Sequence, residues 1–178
     1  MKTIIVYYSH TNNNKVLAGE LMKRLGCTVL RLEERKRRTG FTILLDLALN
    51  RLPVLKTYPH SMRDFDLVIL LAPVWAGKVA APMKSFLEQE KYNIQKYSFI
   101  TLCGGAPGQN IKLKRELTKI LHKEPFQVTE LWVNDLLPEE RRNTIKYTSG
   151  YRVIPPDLEF FEAKIEQFVN EHSETVVA

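Results

Sequence analysis

Six consecutive polar residues, Ser9-His10-Thr11-Asn12-Asn13-Asn14, interrupt the apolar start of the chain, and a helix-like pattern follows at once. Residues of these types at a helix start suit an anion. The first backbone N–H groups of a helix have no carbonyl a turn earlier to receive them. The helix dipole adds partial positive charge there, and together these features favour a phosphate. Ser9, Thr11, Asn13 and Asn14 can present side-chain donors, and asparagine tolerates the left-handed backbone that a tight phosphate loop often needs. Ser and Asn are equally ordinary in helix caps and turns, so this loop alone leaves phosphate binding and a plain cap both open. His10 shares the loop, and its neighbours assign it no catalytic role.

Two other stretches have unusual chemistry. In "APVWAGKVAAPM" (72–83), Trp75 stands between Pro73 and Pro82, which stiffen the backbone, while Gly77 permits close approach. A rigid aromatic plane at the mouth of a crevice can stack on an aromatic ligand; it can also pack over the end of a sheet. In "CGGAPGQN" (103–110), the three glycines Gly104, Gly105 and Gly108 leave backbone N–H and C=O groups open to the edge of a polar ring. A turn before the next helix is the plainer alternative.

The elements that must position these loops alternate along the chain. Strand-like runs cover 3–8, 27–32, 66–72, 98–103 and 126–133. Between them, Leu17, Leu21 and Leu25 mark a helix over 14–25. Leu44, Leu47, Ala48 and Leu52 mark a segment opened by Gly40 and stopped by Pro53. Pro82 starts a helix with Met83, Phe86 and Leu87 inward. Leu113, Leu117, Ile120 and Leu121 mark the next, and Leu158, Phe161, Ile165 and Phe168 the last. This alternation predicts an α/β, doubly wound parallel sheet. The first, third and fourth strands are almost wholly apolar, as strands buried on both faces are. The second carries Arg31, and the fifth carries Gln127, Thr129 and Glu130, so these two are expected at the edges. Strand order 2-1-3-4-5 satisfies that pattern. Its ligand crevice lies beyond the carboxyl ends of the first and third strands, where all three loops fall.

Composition narrows the function. The 178 residues, 44% hydrophobic and 26% charged, suit one compact domain over 1–178 without a linker or internal repeat. No apolar run approaches the roughly 20 residues of a membrane span, and Met1-Lys2-Thr3 leads into a strand without a signal-peptide pattern; a cytoplasmic protein is expected. Cys27 and Cys103 read as reduced core residues, with no Cys-x-x-Cys pair or metal-ligand spacing. Glu33 and Gln109, six residues after them, exclude the cysteine-phosphatase loop, which needs Arg there. The net charge of +6 gathers in Arg31–Arg38 and on the helix face Lys112, Lys114, Arg115 and Lys119. These clusters lack interleaved aromatic residues and read as solvated surface rather than a nucleic-acid site. The first strand is followed by neither Gly-x-Gly-x-x-Gly nor Gly-Lys-Ser/Thr, and it has no acidic cluster of the kind a phosphorylated receiver uses.

In this setting the sequence resembles the flavodoxin family. "YYSHTNNNKVLA" is similar to the family's phosphate loop, commonly Ser/Thr-x-Thr-Gly-Asn-Thr. "DLVILLAPVWAGKVAAPMKSFL" resembles its Pro-Val-Trp-Ala-Gly stretch, and "FITLCGGAPG" its following strand and flavin-edge loop. The similarity runs from residue 3 to about 122, with a compatible fifth strand and last helix. It implies FMN as cofactor, with Ser9, Thr11, Asn13 and Asn14 on its phosphate and His10 and Asn12 in the same loop. Pro73, Val74, Trp75, Ala76 and Gly77 would flank the isoalloxazine; Cys103, Gly104, Gly105 and Gly108 would line its other edge. Asn12 replaces the family's usual glycine and Asn14 its final threonine. No metal is implied.

The expected function is electron transfer or reduction of quinone-like acceptors. The partner would be a redox protein or a small-molecule acceptor, with no nucleic acid or membrane; homo-oligomerisation stays open. The alternative is a flavodoxin-like interaction or phosphate-ligand module without flavin. Acidic residues are absent from the three loops, Lys15 and Lys78 adjoin them, and the pI is about 9.3, so a less negative potential than in an acidic flavodoxin is expected. The long segment 135–156 could cover the site. Its Tyr147 and Tyr151 are candidate caps, although surface or packing roles suit them better.

Overall fold

The apolar runs become the centre of a sheet. The computed structural model describes residues 1–36, 49 and 51–173. The main sheet is formed by β1 (Thr3–Tyr7), β2 (Thr28–Arg31), β3 (Leu67–Leu71), β6 (Tyr97–Cys103) and β7 (Val128–Trp132). These five parallel strands lie in the order β2-β1-β3-β6-β7, the expected order once the short β4 (Val74–Trp75) and β5 (Lys78–Val79), which pair only with each other, are set aside. β1, β3 and β6 are buried almost throughout, while β2 and β7 form the edges. Register brings Tyr7 level with Leu71 and Cys103 level with Trp132, so the loops leaving these strands emerge along one rim.

Side chains alternate between the two faces. Ile5, Tyr7, Ile69, Leu71, Ile100 and Leu102 share one core with Leu17, Leu21, Ile165 and Phe168, on helices α1 (Asn13–Leu25) and α5 (Glu162–Ser173). Ile4, Val6, Val68, Leu70 and Phe99 share the other with Met83, Phe86, Leu113 and Leu117, on α2 (Ala81–Glu90) and α3 (Gln109–Leu121). The chain therefore leaves β1 for one face and β3 for the other, which opens the crevice between them.

Several stretches differ from expectation. Residues 72–80 form not an open loop but a hairpin, β4 (Val74–Trp75) and β5 (Lys78–Val79). Residues 133–150 contain two 3₁₀ turns, Val133–Leu136 and Glu139–Arg141, and the short α4 (Ile145–Gly150). The last helix is entered through a 3₁₀ segment, Pro155–Phe161, opened by two prolines that need no N–H partner there. The helix expected from Leu44, Leu47 and Ala48 lies outside the described residues, as do Arg37 and Arg38; Leu52 is exposed. The basic run is partly neutralised, since Glu33 pairs with Lys56 at 2.7 Å and with Arg31 at 3.7 Å. Among the described residues no helix is long and apolar enough to cross a membrane.

His172 pins the end of α5 to the sheet. Its Nδ1–H donates to the Phe168 carbonyl at 2.5 Å, which leaves Nε2 to accept from the Ser98 hydroxyl at 2.7 Å. The neutral ring makes this pairing with Ser98 donating, and burial favours it by lowering the folded pKa below the usual 6.5. The unfolded chain thus takes up this proton at a higher pH than the folded chain. The stability it confers is complete above the unfolded value and is lost as pH falls through the folded one. Urea unfolding midpoints should drop between pH 7.5 and 5.5, with a smaller drop in His172→Gln; equal drops in both proteins would exclude His172 as the cause.

Candidate functional site

A cavity of about 760 Å³ opens at the carboxyl rim of the sheet, where the connections from β1 and β3 diverge. It joins the three loops singled out in the sequence. His10, Thr11 and Asn13 line it from the first, Pro73 through Gly77 from the second, and Cys103, Gly104 and Gly105 from the third. Ser9, Asn12, Asn14 and Gly108 belong to the same loops but are not among the lining residues.

The first loop is held open by its asparagines. Asn12 caps α1 at φ 68°, the left-handed geometry expected of the residue in the usual glycine position. Lys15 and Val16 donate to the Asn12 carbonyl, so the N–H groups of Asn13 and Asn14 precede the first intrahelical bonds. Their side chains act elsewhere. Asn14 is buried at 1% exposure and bridges the Leu102 backbone, its Nδ2 donating to the carbonyl at 3.1 Å and its Oδ1 accepting from the N–H at 3.0 Å. The Asn13 amide binds the backbone of Tyr151 and Val153. What these two residues can offer a ligand at the helix start is therefore backbone N–H, not the side-chain donors expected of them. The Ser9 hydroxyl is buried and has no hydrogen-bond partner among the described residues.

The hairpin carries Trp75. Its two-residue turn puts Ala76 at φ 48° and Gly77 at φ 74°, the pair of positive values that a type I′ turn requires. Trp75 is braced edge-on by Tyr8 and His10, at ring-centroid distances of 6.1 and 6.2 Å. Glu116 on α3 fastens the other strand, accepting from Val79 N–H at 2.8 Å and from Lys84 at 3.3 Å.

The glycine-rich loop runs against β7. Gly105 sits at φ 86° with its Cα facing the Trp132 indole. Cys103 is buried, and burial together with the neighbouring Glu130 pushes its thiol pKa up to about 12. It is therefore a protonated thiol at neutral pH, and Gln109 donates to its sulfur at 3.3 Å. Glu130, expected as a polar mark of an edge strand, is instead 9% exposed and takes a short hydrogen bond from Gln109.

The roof was not foreseen in detail. Val133, Asn134, Asn143, Ile145, Thr148, Ser149 and Arg152 close the cavity from above. Asn143 N–H donates to Asn134 Oδ1 at 2.6 Å, folding the segment back on itself. Segment 135–156 does cover the site, but not through its tyrosines: Tyr147 is 38% exposed beside Arg141, and Tyr151 packs into the core with α1. Among the lining residues Arg152 is the only Lys or Arg, and none is acidic. A second groove of about 600 Å³ runs between α2 and α3 and shares Ala76 and Gly77 with the cavity. The expected basic face contributes Lys112, Arg115 and Lys119 to it, alongside Lys78 and Lys84. Among the described residues there is no cluster of side chains able to hold a metal ion.

No family model matches the sequence, and no curated protein matches it. Solved structures do share the fold. A flavoprotein from Lactobacillus acidophilus NCFM, crystallised in complex with FMN, is 18% identical with a TM-score of 0.64 over 72% of this chain and 92% of its own. Its apo-form, determined by NMR, gives 17% and 0.61 over 75% and 94%. A flavodoxin, WrbA-like protein from Agrobacterium tumefaciens gives 14% and 0.51 over 96% and 98%. At these identities the likeness is one of architecture: the chain has the flavodoxin-like fold that its motifs resemble.

Proposed function

We propose that this chain binds FMN in the cavity at the carboxyl rim and works as a redox protein. One observation carries the reading: a single cavity at the switch point of the sheet brings together a helix start, an aromatic hairpin and a glycine-rich loop. The residues present suit the group. Thr11, the Asn13 and Asn14 N–H groups and the unpartnered Ser9 hydroxyl would hold the phosphate, as helix starts hold anions. Trp75 on its hairpin and the backbone of Gly104 and Gly105 would flank the ring, and the Asn143–Arg152 roof would exclude water. The cofactor, when bound, supplies one- and two-electron chemistry. The FMN complex of the Lactobacillus flavoprotein, which shares the fold, supports the assignment. Purified protein supplemented with FMN and desalted should retain a flavin absorption spectrum; colourless protein would favour the flavin-free module.

The same reading extends to a partner. Lys78, Lys112, Arg115 and Lys119 form no ion pair with a described residue, and their groove adjoins the cavity at Ala76 and Gly77. An acidic redox protein docked there would exchange electrons across the hairpin, in the cytoplasm. Consumption of NAD(P)H that depends on an added quinone would instead mark a reductase.

The lining also bears on potential. Fully reduced flavin carries negative charge, which an acid-free lining favours. Placing a carboxylate in the roof, by Asn143→Asp, should make the midpoint potential of the FMN-loaded protein more negative in a redox titration. An unchanged or less negative midpoint would contradict this account of the lining.

A further inference from the structure

We infer that Arg152 binds the phosphate of FMN and that Asn13 is the residue that positions it. The inference rests on the FMN reading above and assigns a recognition element that the three sequence loops do not contain. Asn13 opens α1 and is 7% exposed. Its carboxamide grips both chain neighbours of Arg152: Nδ2 donates to the Tyr151 carbonyl at 3.1 Å, and Oδ1 accepts from the Val153 N–H at 3.1 Å. A residue distant in sequence is thereby tied to the helix start, and Asn13 and Arg152 line the same cavity.

The guanidinium is held but not used up. Its Nη1 donates to the carbonyls of Ser149, Gly150 and Tyr151 at 3.1, 2.8 and 3.2 Å, at the carbonyl end of α4. Nε and Nη2 make no hydrogen bond with a described residue, and no carboxylate among those residues pairs with it. A planar fork fixed on one side with donors free on the other suits an oxyanion. Two further observations bear on this role. Arg152 is the one Lys or Arg on a lining without acids, and the first loop, whose Thr11 and Asn13 share that lining, also holds the buried Ser9 hydroxyl, which lacks a partner among the described residues. The loop and the arginine would close on the phosphate from two sides.

Riboflavin has the same ring without the phosphate, so it separates this role from a general one. Fluorescence titrations of both flavins against wild type, Arg152→Gln and Arg152→Lys provide the test. Loss of a charge-assisted phosphate contact should weaken FMN binding about tenfold or more in Arg152→Gln, with partial recovery in Arg152→Lys and riboflavin unchanged. Asn13→Ala should shift the same ratio in the same direction. If Arg152→Gln weakens both flavins equally, or neither, the arginine does not read the phosphate and the inference fails while the FMN reading stands. Wild-type protein that binds neither flavin would overturn both.

Discussion

Gly105→Ala is expected to destabilise the fold by about 3 kcal/mol, the sum of left-handed backbone strain and overpacking. A Cβ at this position would lie 2.6 Å from Trp132 Cδ2 and 2.8 Å from its Cβ, and the residue sits at φ 86°. Neither problem can be relieved locally, because the indole closes the end of β7 and the loop lines the cavity. For a chain of this size the loss corresponds to a fall in Tm of about 6–12 °C. The neighbouring glycine is the control. A Cβ on Gly104 would meet only Thr148, at 3.6 and 3.7 Å, which is ordinary contact, so Gly104→Ala should stay within about 0.5 kcal/mol of wild type. Thermal unfolding of the two variants decides the matter. A Gly105→Ala protein as stable as Gly104→Ala would contradict the packing described here.

Asn14→Ala should cost a similar amount, about 3 kcal/mol, because it strands two buried backbone groups rather than removing one surface contact. The Leu102 N–H and C=O both bond the Asn14 carboxamide, and the side chain is almost fully buried. Alanine leaves both without that partner in a buried setting. The effect extends to function, since this carboxamide ties the start of α1 to the end of β6 and so sets the distance between the helix start and the glycine-rich loop. Urea unfolding should show the lower midpoint with an unchanged slope, and FMN affinity should fall with it. A variant within about 0.5 kcal/mol of wild type would show that the bridge is not a structural tie.

The sheet was legible because its signal is local. Leu67–Leu71 and Tyr97–Cys103 are buried on both faces and read as apolar runs, the second broken only by Ser98 and Thr101, and the polar residues of Thr28–Arg31 and Val128–Trp132 mark the edges. The three loops were legible largely through residue type: positive φ falls on Asn12, Gly77, Gly105 and Gly108, residues that accept it, although it falls also on Ala76, whose type does not announce it. The partners of those loops were not legible, because they come from distant parts of the chain. Asn14 meets Leu102 and Asn13 meets Val153 across 88 and 140 residues, and no periodicity in "NDLLPEERRNTIKYTSGYRV" announces a roof. Glu130 misled for a related reason. A carboxylate on an edge strand suggests solvent, but Gln109 at the start of α3 folds over it.

The most direct test of the account is a titration of the purified protein with FMN, followed by quenching of flavin fluorescence. The geometry of the cavity predicts saturable binding of one FMN per chain with a Kd of about 1 µM or tighter, near −8 kcal/mol, and weaker binding of riboflavin. Flavin fluorescence that remains unquenched with protein at about 100 µM, a concentration far above that Kd, would contradict it.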